Sequence, residues 1–420
     1  MKASDAIFRL PSSMEPMLPT TGRGLLAELS AGIFRKSGEL KSSLPSVTAR
    51  AELAKLVCEM NSYYSNLIEG HKTLPRDIGR AVKEDYSGKP EDQRNQRLSV
   101  AHIKAERAMR ERLASDSSPD IFSAEFIRWL HGEFYSHIPK EEWTTSSTSG
   151  KAYPLVPGEL RTYNVDVGRH VAPDHCSLGK FLTKYQASYS SRDILATDRL
   201  IAAAAAHHRL AWIHPFGDGN GRVARLQSQA ALIAAGVDSG GLWTLSRGLA
   251  REQQTYYRTL QDADQRRMND YDGRGNLSDK ALSTFCEFFL RQVLDQIEFV
   301  IGLVEPETLV TRISRYFQFE RTDLEPKLRD HMSRLVGTLC IRNEVGRGEA
   351  EGILDLKGTA TRKVIRETLK EGLIQSPSEK GPLRIAFPID KVTDFYFPRL
   401  FTDLPVSPAG ARLNTPRQPH

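Results

Sequence analysis

An apolar run from Leu195 to Ile213, carrying five consecutive alanines at 202–206, stops at HPFGDGNGR (His214–Arg222). A second apolar face resumes at once through Val223, Leu226, Ala230 and Ile233 and ends near Gly236. Two helices packed closely through small residues and joined by a glycine-rich loop satisfy that pattern. The loop then opens the second helix, and this placement has chemical consequences. Unpaired backbone N–H groups and the positive end of the helix dipole converge on one point, which makes an anion site, most commonly for phosphate. Gly219 and Gly221 let the backbone approach such a group and tolerate left-handed angles. Asp218 would be repelled by phosphate unless a hard cation stood between them, and Mg²⁺ suits both kinds of oxygen. Asn220 is a donor for a phosphoryl oxygen, Arg222 a planar clamp, and Arg225 a second clamp one helical turn further on. His214, with an ordinary pKa of about 6.5, is mostly neutral near pH 7 and can take a proton from a hydroxyl.

The stretch HPFGDGNGRVAR resembles the signature of the Fic family, His-Pro-Phe-x-Asp/Glu-Gly-Asn-Gly-Arg-x-x-Arg, without a departure. Most members of that family are adenylyltransferases that move AMP from ATP to a protein side-chain hydroxyl. The resemblance implies His214 as base, Asp218 as Mg²⁺ ligand, Asn220 as donor to the α-phosphate, and Arg222 with Arg225 on the outer phosphates. Phe216 is expected to pack under the loop. His207 and His208 read as core histidines.

Upstream, Leu53, Leu56, Val57, Met60, Tyr64 and Leu67 recur at three-four spacing and predict one helix. It ends in SNLIEG (Ser65–Gly70), which resembles the family's inhibitory motif, Ser/Thr-x-x-x-Glu-Gly/Asn. The resemblance implies that Glu69 pairs with Arg225 and blocks the γ-phosphate, with Ser65 tethering Glu69. Removal of AMP, with Glu69 orienting water, stays open beside transfer.

GELRTYNVDVGRHV (Gly158–Val171) alternates β-branched and turn residues and predicts a short hairpin. It looks like the family's flap, which holds a target segment by strand addition, with Thr162, Tyr163, Asn164 and Val165 as the edge. YYRTLQDAD (Tyr256–Asp264) resembles the segment that flanks adenine. One of the two tyrosines belongs to the core and Tyr257 is assigned to the base. Where the family has Asn, this chain has Asp264, which when ionised only accepts hydrogen bonds and leaves base identity open.

Beyond about Val304 the texture changes. Residues 352–375 followed by SPSEKGPLRIAFP (Ser376–Pro388) predict helix, turn, helix and a β-wing. Seven Lys/Arg against five acids between Glu351 and Arg384 is a modest excess for a DNA reader. Thr361, Arg362, Lys363 and Arg366 would face a major groove if DNA were bound. Protein interaction or homodimerisation is the competing role for this module. A DNA-binding regulator with a silenced core is therefore the alternative to an enzyme, although a pure regulator needs neither His214 nor Asp218.

The predicted fold is mainly α: a Fic-type helical core with a β-hairpin flap, plus a small C-terminal winged-helix (α+β) domain. The expected divisions are a flexible arm at 1–22, an inhibitory helical region at 23–110 and a catalytic core at 111–304. A winged-helix-like domain at 305–400 and a disordered tail at 401–420 complete them. Four scattered cysteines, Cys58, Cys176, Cys286 and Cys340, lack metal-ligand spacing. No apolar run is long enough to span a membrane, and the N-terminus has no signal-like stretch, so a cytoplasmic location is expected. A net charge of +6 and pI near 9.0 permit an anionic partner without naming one. The expected partners are ATP and a protein with an accessible hydroxyl, with self-modification an expected side reaction.

Overall fold

The computed structural model describes residues 8–116, 119–146, 152–168, 170–190, 194–392, 394–402, 404 and 415–416. Helices dominate. In chain order they are α1 (Arg23–Ser43), α2 (Val47–Ile68), α3 (Pro75–Val82), α4 (Pro90–Ser115), α5 (Ala124–Ser136), α6 (Leu178–Tyr189), α7 (Ala196–Ile213) and α8 (Asn220–Ala234). They continue with α9 (Leu245–Arg251), α10 (Gln253–Ala263), α11 (Asp279–Val304), α12 (Pro306–Arg315), α13 (Pro326–Ile341), α14 (Glu349–Leu354), α15 (Thr359–Lys370) and α16 (Ile389–Val392). Among the described residues three small antiparallel sheets interrupt them, built on β1 (Thr144–Ser146) with β2 (Ala152–Pro154), β3 (Val165–Val167) with β4 (His170–Val171), and β5 (Ile374–Gln375) with β6 (Arg384–Ile385).

The centre of the body is α7. Ala202 to Ala206 are all buried, and their small side chains let α1, α6, α8 and α11 pack on one helix from several directions. On α11 the buried stripe Leu282, Phe285, Phe289, Val293 and Ile297 faces that centre. A Ser46 cap, whose hydroxyl accepts from the Ala49 amide at 3.1 Å, starts α2. Its buried Leu53, Leu56, Val57, Met60, Tyr64 and Leu67 then hold it between α4 and α9. No helix among the described residues is long and apolar enough to cross a membrane.

Several expectations need revision. Residues 8–22 do not trail as a free arm. Met14 is buried, the Pro16 carbonyl accepts from Arg209 at 2.8 Å, and Asp279 accepts the Thr20 and Thr21 amides at 2.8 Å each. The predicted hairpin is shorter: only 165–171 pairs, while Thr162, Tyr163 and Asn164 form irregular lead-in held by side-chain bonds rather than by a ladder. The β3 strand has no open edge, because its far side pairs with β7 (Thr415–Pro416) from the C-terminal tail. Residues 1–7, 403, 405–414 and 417–420 lie outside the described residues.

At the C-terminal end, α14 and α15 stand in a helix–turn–helix order, and β5–β6 follows as a two-stranded ribbon. Thr361 is buried, so it cannot reach a groove; Arg362, Lys363 and Arg366 are exposed on the outer face of α15. The segment after α16 returns to the main body, where Tyr396, Phe397 and Leu400 are buried.

Candidate active site

The loop between α7 and α8 is fixed by backbone geometry. His214 ends α7 in the left-handed region (φ 49°), with its amide still bonded to the Leu210 carbonyl at 3.1 Å. Gly219 (φ 79°) starts α8 the same way, and a Cβ there would lie 2.9 Å from the Tyr135 ring. A Cβ on Gly221 would overlap the Glu69 carboxylate. The glycines thus bring the first turn of α8 against a cleft. Its walls include His214, Gly219, Gly221, Arg225, Glu69 and Tyr257.

Around this loop the structure assembles supports that the sequence did not reveal. Arg161 donates from Nε to the His214 carbonyl at 2.8 Å, and from its other nitrogens to the carbonyls of Tyr163 (2.7 Å) and Pro173 (2.6 Å). It pins the hairpin's lead-in to the His214 loop. Burial lowers its pKa to about 10, which leaves it charged at neutral pH. His131 accepts the Gly158 amide at Nδ1 (2.8 Å), so its Nε2–H donates to the Asp218 carbonyl (3.2 Å). Its ring stacks on buried Phe216 at 3.9 Å, which confirms Phe216 as the floor of the loop. The Tyr135 hydroxyl donates to Asp218 Oδ2 at 2.8 Å. Burial raises the Asp218 pKa, but Arg222, the Tyr135 hydroxyl and the Gly219 amide together outweigh it and hold the acid below its ordinary value. An ionised, partly exposed carboxylate beside a helix N-terminus has the donor chemistry a Mg²⁺ ion requires.

Not every expected residue stands as expected. Asn220 turns its amide inward: Nδ2 donates to the Phe216 carbonyl (2.8 Å) and Oδ1 accepts the Phe216 amide (2.9 Å). It braces the loop, because a buried carboxamide satisfies both its ends most cheaply on the nearby backbone. Arg222 is also buried; its Nε donates to Asn66 Oδ1 (3.0 Å) and its guanidinium lies over the Phe134 ring at 5.3 Å. Arg225 does line the cleft, and its NH2 donates to Glu69 Oε1 at 2.7 Å. Burial alone would lower the Arg225 pKa; the Glu69 charge more than reverses that. Ser65 does not tether Glu69. Its hydroxyl and carbonyl accept instead from Arg225, at 2.9 and 2.8 Å, since the arginine fork reaches them first.

Both tyrosines line the cleft, but Tyr256 is otherwise buried in the core and bonds His207 at 2.8 Å, while Tyr257 is only partly buried and donates to the Ile68 carbonyl at 2.9 Å. His207 is the satisfied core histidine expected, its other nitrogen meeting Ser228 at 2.7 Å. His208 is different: it is buried but borders the cleft beside Asp264. Tyr163 reaches over Gly217, and Val165 is buried at the start of β3.

With that geometry in place, comparison with known proteins is informative. The sequence profile of the Fic/DOC family matches residues 121–232. Proteins named "Protein adenylyltransferase Fic" from Nematostella vectensis and Aedes aegypti are 40% and 37% identical to this chain over 87 residues. That stretch is 21% of this chain and only 20% and 17% of those relatives. In fold, the chain is similar to a crystal structure of a Fic family protein from Desulfovibrio desulfuricans G20 (TM-score 0.50, 16% identity), covering 85% of this chain and 96% of that one. It is also similar to Fic-1 from C. elegans (TM-score 0.51, 18% identity), covering 68% and 76% respectively. Residues 121–232, which supply α7, the glycine loop and the start of α8 to the cleft, are therefore a Fic domain.

Proposed function

We propose that this chain is a protein nucleotidyltransferase that moves AMP from ATP to a Ser, Thr or Tyr hydroxyl of a protein, and that Glu69 holds it in check. The single observation that carries the reading is the Glu69–Arg225 pair, 2.7 Å apart, at the mouth of a glycine loop that opens a helix. The loop offers an anion site, and the carboxylate occupies the arginine that a bound triphosphate would need.

In the reaction, His214 takes the proton from the target hydroxyl as that oxygen attacks the α-phosphorus. The bond from the α-phosphorus to the bridging oxygen breaks, and pyrophosphate leaves with the electron pair. The first turn of α8 and, once freed, Arg225 bind the phosphates, while Arg161 keeps the His214 backbone in place. Asp218 would hold Mg²⁺, which when bound offsets phosphate charge. Asn220 and Arg222 act by shaping the loop in the Glu69-paired state.

Mass spectrometry of the protein after incubation with ATP and Mg²⁺ tests the reading. Glu69→Gly should raise AMP incorporation, self-modification included, by roughly 5–150-fold for a coupling of about 1–3 kcal/mol. His214→Ala should abolish it in either background. Unchanged transfer in Glu69→Gly would sink the brake, and no transfer in any variant would sink the enzyme.

The exposed Arg362, Lys363 and Arg366 on α15 favour one second reading, a DNA-binding regulator. A DNA mobility shift that weakens steeply with salt, from a protein that transfers no nucleotide, would select it.

A further inference from the structure

Besides Glu69, a second carboxylate, Asp264, lines the cleft. Asp264 follows the last turn of α10, on the same wall as Tyr257, Leu260 and Gln261. Among the described residues no Lys or Arg pairs directly with this partly buried acid. Its Oδ1 is 3.2 Å from His208 Nε2. Arg209 donates into His208 Nδ1 at 2.6 Å, so the imidazole proton sits on Nε2, shared between Asp264 and the Leu260 carbonyl at 3.0 Å. Burial, helped by Arg209, holds His208 well below its ordinary pKa, so it stays neutral. On the opposite side, His170 gives its Nε2 proton to the Trp212 carbonyl at 2.7 Å. Among the described residues, His208, Arg209 and His170 are the charged or titratable groups that face this acid, and together they support it without donating a full ion pair.

We propose that Asp264 makes the base end of this cleft a reader of guanine, so that GTP is taken in preference to ATP. The proposal rests on the nucleotidyl-transfer reading above and changes only its base. An ionised carboxylate offers two acceptors and no donor. Guanine presents N1–H and its 2-amino group side by side, and the two carboxylate oxygens accept both. On adenine the 6-amino donor sits next to the N1 lone pair, so one carboxylate oxygen would face a lone pair. A bidentate base contact of this kind discriminates by about tenfold or more. The preference has a pH signature. Burial raises Asp264 to about 6, against the lowering pull of His170 and Arg209. At pH 8 the group is acceptor-only. Near pH 5.5 its protonated form can donate to adenine N1 while accepting from the 6-amino group.

The test is equilibrium binding of ATP, GTP and ITP, each with Mg²⁺, to the full chain carrying Glu69→Gly, at pH 8 and pH 5.5. GTP should bind about tenfold or more tighter than ATP at pH 8. ITP, which lacks the 2-amino group, should fall between them, and the gap should shrink at pH 5.5. Adding Asp264→Asn should erase the GTP advantage, while Asp264→Glu should keep much of it; thermal melts report whether either variant is folded. ATP binding tighter than GTP at pH 8, or a GTP preference that survives Asp264→Asn, overturns the assignment. Failure of all three triphosphates to bind overturns the nucleotide reading itself, and the base assignment falls with it.

Discussion

The Tyr135 hydroxyl spends its hydrogen on Asp218 from a buried position at the end of α5. Removing it leaves the carboxylate one donor short inside a site where burial already opposes its charge. Tyr135→Phe, made in the Glu69→Gly background, should weaken the Mg²⁺ requirement's half-saturation by about 10–100-fold, with much smaller loss at saturating metal. The acid limb of the pH profile should also move upward, because the Asp218 pKa rises. A Mg²⁺ titration unchanged by the substitution would show that the hydrogen bond does not position this acid. The contrast with His214 and Asp218 explains what the sequence could show. Those residues belong to a run of fixed types at fixed spacing, so their chemistry is visible in twelve letters. Tyr135, His131 and Arg161 serve the same loop from 53 to 87 positions away, through a carbonyl or one carboxylate oxygen. Nothing in their own neighbourhoods distinguishes them from ordinary helix or loop residues. Asn220 erred in the other direction: its type suits a phosphate donor, but only coordinates reveal that Phe216 has already claimed it.

Among elements, α2 was legible and the hairpin was not, for one physical reason. Helix α2 repeats its apolar spacing from Leu53 to Leu67, about four turns, and each repeat reinforces the same face. The lead-in at 158–164 is too short for alternation to carry weight. Its order comes instead from Arg128, which donates to the Gly158 carbonyl at 2.8 Å, and from Arg161. What holds α2 from outside was equally hidden. Tyr64 Oη donates to the Leu400 carbonyl (3.2 Å) and accepts the Thr402 amide (2.7 Å), one residue before Ser65. Tyr63 adds a bond to the Thr402 carbonyl (3.1 Å), and Arg247 grips the Arg399 carbonyl (2.9 Å). Residues 399–402 are thus strapped across the helix that carries Glu69. Tyr64→Phe removes two bonds, a loss of about 1–3 kcal/mol at roughly 0.5–1.5 each. Amide exchange at 400–402, followed by mass spectrometry, should quicken by at least about fivefold with little change in α11. Exchange that accelerates evenly across the chain, or not at all, would refute a local strap.

At the scale of the whole molecule, the same close packing that seats the loop also buries four histidines, His102, His131, His207 and His208, and holds each below its ordinary pKa. Burial, the leading cause in each case, lowers His102 and His207 to about 3 and His131 to about 4. All three have no exposed surface. In the unfolded chain they titrate near 6.5. A histidine whose folded pKa is depressed contributes its full stability above the unfolded value and loses it as pH falls from 6.5 toward the folded value. In that window the unfolded chain binds more protons, so each group removes up to about 1.4 kcal/mol per pH unit. Two partly buried acids act in the opposite sense. Burial raises Glu59 to about 7 and Asp264 to about 6, so protonation between pH 7 and 4 relieves part of their cost. With His71, His170 and His208 also lowered, six histidines stand against these two acids and decide the sign. The melting temperature should fall steadily between pH 6.5 and 4.5, and His102→Gln should flatten that slope. His102 is the informative choice because neither of its ring nitrogens has a hydrogen-bond partner among the described residues, so its neutral form is enforced by burial, with the Arg225 and Arg222 charges adding to it. A melting temperature that holds level or rises over that range would mean the protein opens water to these rings, and that the body around α7 is looser than its packing indicates.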